Sequence, residues 1–140
     1  MSTITPDAFF RCYEQANNDF DIQVISKLYA DVFMFGNAQG VRAVKKDDFL
    51  KVLPRRKEFM KAAGLLSSRV DSVESSRLDS KYTLVKTVWD MRFQVENRGD
   101  VSRKTSATYI LSTTADACEI VFQLDHQDLM EIVQDLRKQS

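Results

Sequence analysis

Cysteine is scarce: Cys12 and Cys118 are too few and too far apart for a disulfide framework or a zinc site, and both read as buried thiols. Histidine is scarcer still. With His126 alone, and no motif around either partner, no Ser-His or Cys-His pairing can be argued. No stretch approaches the roughly 18 apolar residues of a membrane span, and the start, MSTITPDAFF, lacks a charged segment followed by an apolar one. The expectation is a soluble, cytoplasmic protein with no membrane partner. An excess of charge of either sign is also missing, with Lys+Arg and Asp+Glu at 20 each, so no global positive field draws nucleic acid. Repeats, low-complexity tracts and linkers are absent as well. A chain of 140 residues then reads as a single domain, residues 1–140, large enough to bury about two thirds of its unfolded surface without a metal or cofactor.

The longest alternating run is Tyr82 to Val95. Thr83, Val85, Thr87, Trp89, Met91, Phe93 and Val95 occupy one parity, while Lys86, Asp90, Arg92 and Gln94 occupy the other. Alternation with period two describes a strand with one buried and one wetter face. We read it as the strand on which the other elements pack.

Ahead of it, Thr5 and Pro6 begin a helix over about residues 6–18 with Phe9, Tyr13, Ala16 and Phe20 as an aromatic stripe, closed by Asn17, Asn18 and Asp19. Asp21 caps a second, short helix carrying Ile22, Ile25, Leu28 and Tyr29. Val32 to Phe35 and Val41 to Val44 make a hairpin about Gly36, Asn37, Gln39 and Gly40. Lys46 to Ala63 is helical, with Gly64 as its cap and Pro54 expected to kink or split it. Leu65 to Asp79 is a weakly patterned strand near an edge.

After the long strand, Asn97 to Asp100 turns the chain, Ser102 to Thr114 alternates, and Thr114 to Asp116 turns it again. Cys118, Ile120, Phe122 and Leu124 then form the inward face of a last strand. Asp125 caps a closing helix built on Leu129, Ile132, Val133 and Leu136. Helices first and long strands afterwards argue for an α+β fold, with helices on one face of a curved sheet.

Tyr29-Ala30-Asp31 entering the apolar run Val32 to Phe35, the Gly36/Gly40 hairpin and the Lys46 to Ala63 helix resemble the nuclear transport factor two-like superfamily, in its SnoaL-like, polyketide cyclase-like branch. The resemblance extends over nearly the whole chain. It implies a cone: a strongly curved, mostly antiparallel sheet with the N-terminal helices on its concave face, as in cystatin-like and SnoaL-like folds. It also implies a deep pocket, frequent homodimers, and functions from isomerase and cyclase to plain binding. Similar ketosteroid isomerases carry a base carboxylate after the first strand. Here Asn37 falls at that place and Ala107 where a second acid should stand, so that reaction does not transfer.

The expected ligand is a small apolar molecule, held by Tyr13, Tyr29, Phe33, Trp89, Phe93 and Tyr109, which combine apolar surface with hydroxyl handles. Asp31, Asp90, Arg92 and His126 are the candidate catalytic groups. Asp90 and Arg92 stand two apart, as similar epoxide hydrolases require, although in reversed order; the plain alternative is an ion pair on the outer face. Two function classes stay open. One is an isomerase, cyclase or hydratase working by acid–base chemistry in the cone. The other is a non-catalytic module that dimerises or binds ligand, its outer sheet face (Asp90, Arg92, Gln94, Lys104, Ser106, Thr108) meeting a second copy. Seven basic residues between Lys45 and Lys61 face three acids, and residues 116–135 hold six acids and no Lys or Arg. That asymmetry suits either the steering of an anion or a solvated helix face.

Overall fold

In the computed structural model, described for residues 4–138 apart from Asn97 and Asp116, the first two helices begin where the caps stand. Thr5 Oγ1 accepts from the Ala8 amide at 3.1 Å and opens α1 (Pro6–Asp19), which ends at Phe20 in a left-handed conformation. Asp21 caps α2 (Ile22–Leu28) through the Val24 amide at 3.2 Å. The chain passes directly into β1 (Tyr29–Asn37), turns, and returns as β2 (Gly40–Lys45).

The helix α3 (Lys46–Ala62) runs unbroken through Pro54, so the proline does not split it. Pro54 forfeits one backbone hydrogen bond, but its ring faces solvent, while Leu53 and Met60 on either side of it are both buried. Packing of that stripe holds the helix together.

Four long strands follow: β3 (Leu65–Arg77), β4 (Tyr82–Val95), β5 (Gly99–Thr113) and β6 (Cys118–Asp125), then α4 (Leu129–Lys138). They complete a curved, open six-stranded sheet in the order β2-β1-β6-β5-β4-β3, in which only β1 and β6 pair in parallel. The fold is α+β. Of the two turns expected around Asn97 and Asp116, those two residues lie outside the described ones. The flanks are tied by Arg98 N to Val95 O at 3.1 Å and Thr114 N to Ala117 O at 2.8 Å.

On β4 the alternation reads directly as burial. Val85, Thr87, Trp89, Met91 and Phe93 point into the core, and Lys86, Arg92 and Gln94 are exposed. β3 is one of the two edge strands, and two bulges interrupt its pairing with β4. Three of its backbone groups are taken up by α1: Asn18 exchanges two bonds with Ser68, at 2.8 and 3.0 Å, and Glu14 accepts from the Val70 amide at 2.6 Å. Side chains of a helix thereby blunt an edge that would otherwise invite another strand. The core divides into a larger cluster around Phe10, Tyr29, Phe33, Trp89 and Tyr109, and a smaller one where Val133 and Leu136 of α4 cover Met60, Met91 and Phe93.

Three expectations fail here for identifiable reasons. Cys12 is exposed, because it lies off the buried stripe of α1, whereas Cys118 is buried. Phe122 and Leu124 do not face inward. The β5–β6 register slips between Ile110 and Leu111, so Leu111 faces Ile120 but Tyr109 faces Gln123. One inserted residue on β6 reverses every later side chain. Cys118 and Ile120 therefore stay in the core, Phe122 and Leu124 turn to the outer face, and Gln123 and Asp125 enter the concave side. Asp125 consequently caps no helix. Asp128 does so instead, with its carboxylate on the Met130 amide at 2.9 Å and its carbonyl on the Ile132 amide at 3.2 Å.

Candidate functional site

The bulge on β6 brings polar groups under the helices, where they form a chain. Tyr29 donates to Gln123 Oε1 at 2.6 Å, and Gln123 Nε2 donates to Asp125 Oδ1 at 3.0 Å. The hydroxyls of Tyr13 and Tyr29 are 2.9 Å apart. A phenol has one proton to give. Tyr29 spends its proton on Gln123, so the bond between the tyrosines runs from Tyr13 to Tyr29. Tyr109, whose ring centroid lies 6.2 Å from that of Tyr13, hydrogen-bonds to the Tyr13 hydroxyl and stands at the head of this chain.

Burial pushes the phenols of Tyr29 and Tyr109 well above their ordinary range and that of Tyr13 upward too. All three are therefore neutral donors at physiological pH. Burial also raises the Asp125 carboxyl, against the opposing pull of the Gln123 hydrogen bond and of the Arg56 charge. Its second oxygen accepts no hydrogen bond among the described residues. A carboxylate with a raised pKa, one oxygen anchored and one open, has the properties of a general base.

Trp89 is fixed beside them by its indole N–H, which donates to Thr87 Oγ1 at 2.9 Å; Thr87 in turn donates to Ala107 O at 3.1 Å. The hollow bounded by Trp89, Tyr13, Tyr109, Gln123 and Asp125 holds about 90 Å³. It adjoins an outer chamber of about 410 Å³ under α1 and α3, since Tyr13, Asn17, Arg56, Ser68, Met91 and Leu129 border both. A third hollow, about 250 Å³, lies on the far side of Asp125 between the β1–β2 turn and α4. A larger one of about 750 Å³ sits toward the other end of β4 and β5, against Arg77, Lys81 and Cys118. Among the described residues no carboxylate or phenol lines it. The chemistry concentrates at Asp125.

Of the residues singled out from sequence, Tyr13, Tyr29, Trp89 and Tyr109 come together at this site. Phe33 packs behind Tyr29 with ring centroids 4.6 Å apart, and Phe93 belongs to the separate cluster under α4. Asp31 is exposed on β1, 3.5 Å from Lys46 Nζ, and is not part of the cavity. Arg92 points outward, with a carboxylate oxygen of Asp100 at 3.9 Å. Asp90 shares that outer face, between Arg69 and Lys104, and does not line the hollow. His126 is exposed, with Nε2 2.8 Å from Thr108 Oγ1. Sequence reading missed Asp125, Gln123 and Arg56. Among the described residues no cluster of His, Cys, Asp and Glu could hold a metal ion, and no helix is long and apolar enough to cross a membrane.

A curved, open sheet with helices on its concave face and a chamber between them defines the cystatin-like class of α+β proteins. Within it, the chain has the nuclear transport factor two-like fold. It matches an NTF-2 like protein of unknown function from Shewanella oneidensis at 15% identity, covering 85% of this chain and 93% of that one, with a TM-score of 0.65. A ketosteroid isomerase-like protein from Erwinia carotovora atroseptica matches at 16% identity over 86% and 92% of the two chains, TM-score 0.62. The beta subunit of the benzoate 1,2-dioxygenase from Burkholderia mallei matches at 16% over 94% and 96%, TM-score 0.66. No family model matches the sequence, and no curated protein does. At such identities the likeness is one of fold.

Proposed function

We propose that the chain binds a small, mainly apolar carbonyl compound in the cone and moves a proton on it, as an isomerase, cyclase or hydratase does. The observation that carries this reading is the open oxygen of Asp125 on the hollow that Tyr109 also lines. The two residues stand on neighbouring inward positions of β6 and β5, because Tyr109 pairs with Gln123 and Ala107 with Asp125. Asp125 takes a proton from the carbon next to the carbonyl, and the C–H electron pair moves into the carbonyl. The resulting enolate oxygen accepts from Tyr109, whose hydroxyl turns from Tyr13 to the guest. Return of the proton to another carbon, or attack of the enolate carbon on an electrophile, completes an isomerisation or a cyclisation. Trp89 and the ring of Tyr13 supply apolar walls.

The test is exchange of α-protons for deuterium in D2O across a panel of small cyclic ketones and keto acids, followed by NMR. Exchange above the buffer rate is expected for the native chain, with Tyr109→Phe slowing it more than Tyr29→Phe. Equal loss in the two variants would remove Tyr109 from the role of donor, and no exchange with any compound that shifts the Trp89 indole signal would remove the chemistry.

A second reading, association with another copy, is favoured by the outer sheet face. Val32, Val41 and Met34 are 55%, 55% and 38% exposed there. Phe122, Leu124 and Ile110 continue the same surface across β6 and β5. The Oδ1 atom of Asp90, on this face, is buried without a hydrogen-bond partner among the described residues. Apolar patches of this kind in a folded chain mark association surfaces. Sedimentation velocity is expected to show a dimer that Phe122→Asp converts to a monomer with little change in thermal stability. A native monomer would end this reading and leave the cone's chemistry untouched.

A further inference from the structure

The cavity-facing stripe of α3 reads Phe49, Leu53, Arg56, Met60, at successive spacings of four, three and four residues. Three of these fill space under the helix, as such a stripe should. The fourth is a cation. Arg56 borders the inner hollow beside Trp89, the outer chamber of about 410 Å³ and the hollow beyond Asp125. Among the described residues it makes no ion pair or hydrogen bond; Asp125 feels its charge but stands beyond ion-pair distance. Lys57 and Lys61 border the same outer chamber, and among the described residues no Asp or Glu does.

The basic run of α3 is therefore not uniform in role. Lys46 is tied to the carbonyls of Ser26 and Tyr29 at 2.9 and 3.0 Å, and Lys51 and Arg55 border none of these hollows. The three that remain ring a chamber whose floor is apolar: Phe49, Leu53, Met60, Met91.

We infer that the ligand of this chamber is an amphipathic organic anion, an apolar ring or chain ending in a carboxylate, with the carboxylate held by Arg56 at the mouth and the apolar body directed toward Trp89. The inference rests on the reading of the cone as a small-molecule site and adds the charge of the guest. A guanidinium holds a carboxylate through two parallel N–H donors, which an ammonium cannot do. The anionic end stays in the outer chamber, away from Asp125, so the two carboxylates do not compete for one place.

The probes are 2-naphthoate and its isosteric neutral amide, 2-naphthamide, titrated against the full chain at pH 7. The readout is the indole N–H resonance of Trp89, the sole tryptophan. Naphthoate is expected to bind about tenfold more tightly than the amide. Arg56→Gln should erase the preference and leave the amide's affinity as it was, while Arg56→Lys should retain part of it. A melting temperature measured for each variant shows that the fold survives, and Arg56 is exposed enough for it to do so. Equal binding of the two probes to the native chain, or a preference that survives Arg56→Gln, overturns the assignment of an anion and leaves the pocket reading in place. If neither probe moves the Trp89 signal, the pocket reading falls and takes this inference with it.

Discussion

Asp125→Asn is expected to make the folded chain more stable at neutral pH and to remove its proton-transfer chemistry at the same time. Burial raises the Asp125 carboxyl above the ordinary carboxylate value, so the folded protein holds this proton more tightly than the unfolded chain does. The stability linked to the proton is fully present below the unfolded value, about 3.9. It is lost as pH rises through the raised folded value. At pH 7 the native chain carries a partly desolvated carboxylate, whereas asparagine keeps an oxygen for the Gln123 amide without a charge to desolvate. Urea denaturation at pH 7 should show a gain of about 0.5–2 kcal/mol, the usual range for relieving one unfavourable site. That gain should shrink toward zero near pH 4, where the native carboxyl also becomes neutral. Deuterium exchange into a substrate should fall by roughly 10²–10⁴-fold, the worth of a general base. An asparagine variant no more stable than the native chain at pH 7 would show that Asp125 is not held there at a cost.

Gly64→Ala is the substitution expected to damage the fold most for its size. Gly64 follows α3 with φ at +96°, a conformation that side chains disfavour. A Cβ there would stand 2.3 Å from the carbonyl oxygen of Gln94, and that oxygen cannot swing aside like the end of a side chain. The close approach has a structural cause: Gln94 N donates to Gly64 O at 2.8 Å, which binds the end of α3 to β4 beside Phe93. Strain and clash together should remove about 2–4 kcal/mol in urea denaturation. A loss of about 1 kcal/mol or less would mean that this junction yields.

Much of the architecture was legible because local rules and the global fold agree. Thr5, Pro6 and Asp21 start their helices where a cap and a fixed φ are needed. The parity of β4 shows its buried face, since the period of a strand is two and one face meets the helices. Tyr13, Tyr29, Trp89 and Tyr109 converge because each lies on an inward position of its element. The low identity to solved structures adds a fold without a chemistry.

The polar half of the site was not legible, and a single residue is the reason. Strict alternation from Cys118 puts Phe122 and Leu124 inside and Asp125 at a helix start. The extra residue on β6, near Val121, reverses that parity. Bulges leave no reliable trace in a hydrophobic pattern when both parities are apolar, as Ile120, Val121, Phe122 and Leu124 are here. Arg56 was hidden differently. Its neighbours Arg55 and Lys57 are also basic, and only the rotation of α3 against the sheet decides which of the three joins the Phe49, Leu53, Met60 stripe.

By itself, then, the sequence determined an α+β fold, the order of its elements, the buried face of its central strand and the aromatic wall of the cone, because periodicity and capping are local properties of the chain. Only the tertiary structure decided that Gln123 and Asp125 face the inner hollow, that Asp31, Asp90, Arg92 and His126 do not, and that among the basic residues of α3 it is Arg56 that borders it. Those facts depend on the register between strands far apart in sequence and on how a helix is rotated when it packs.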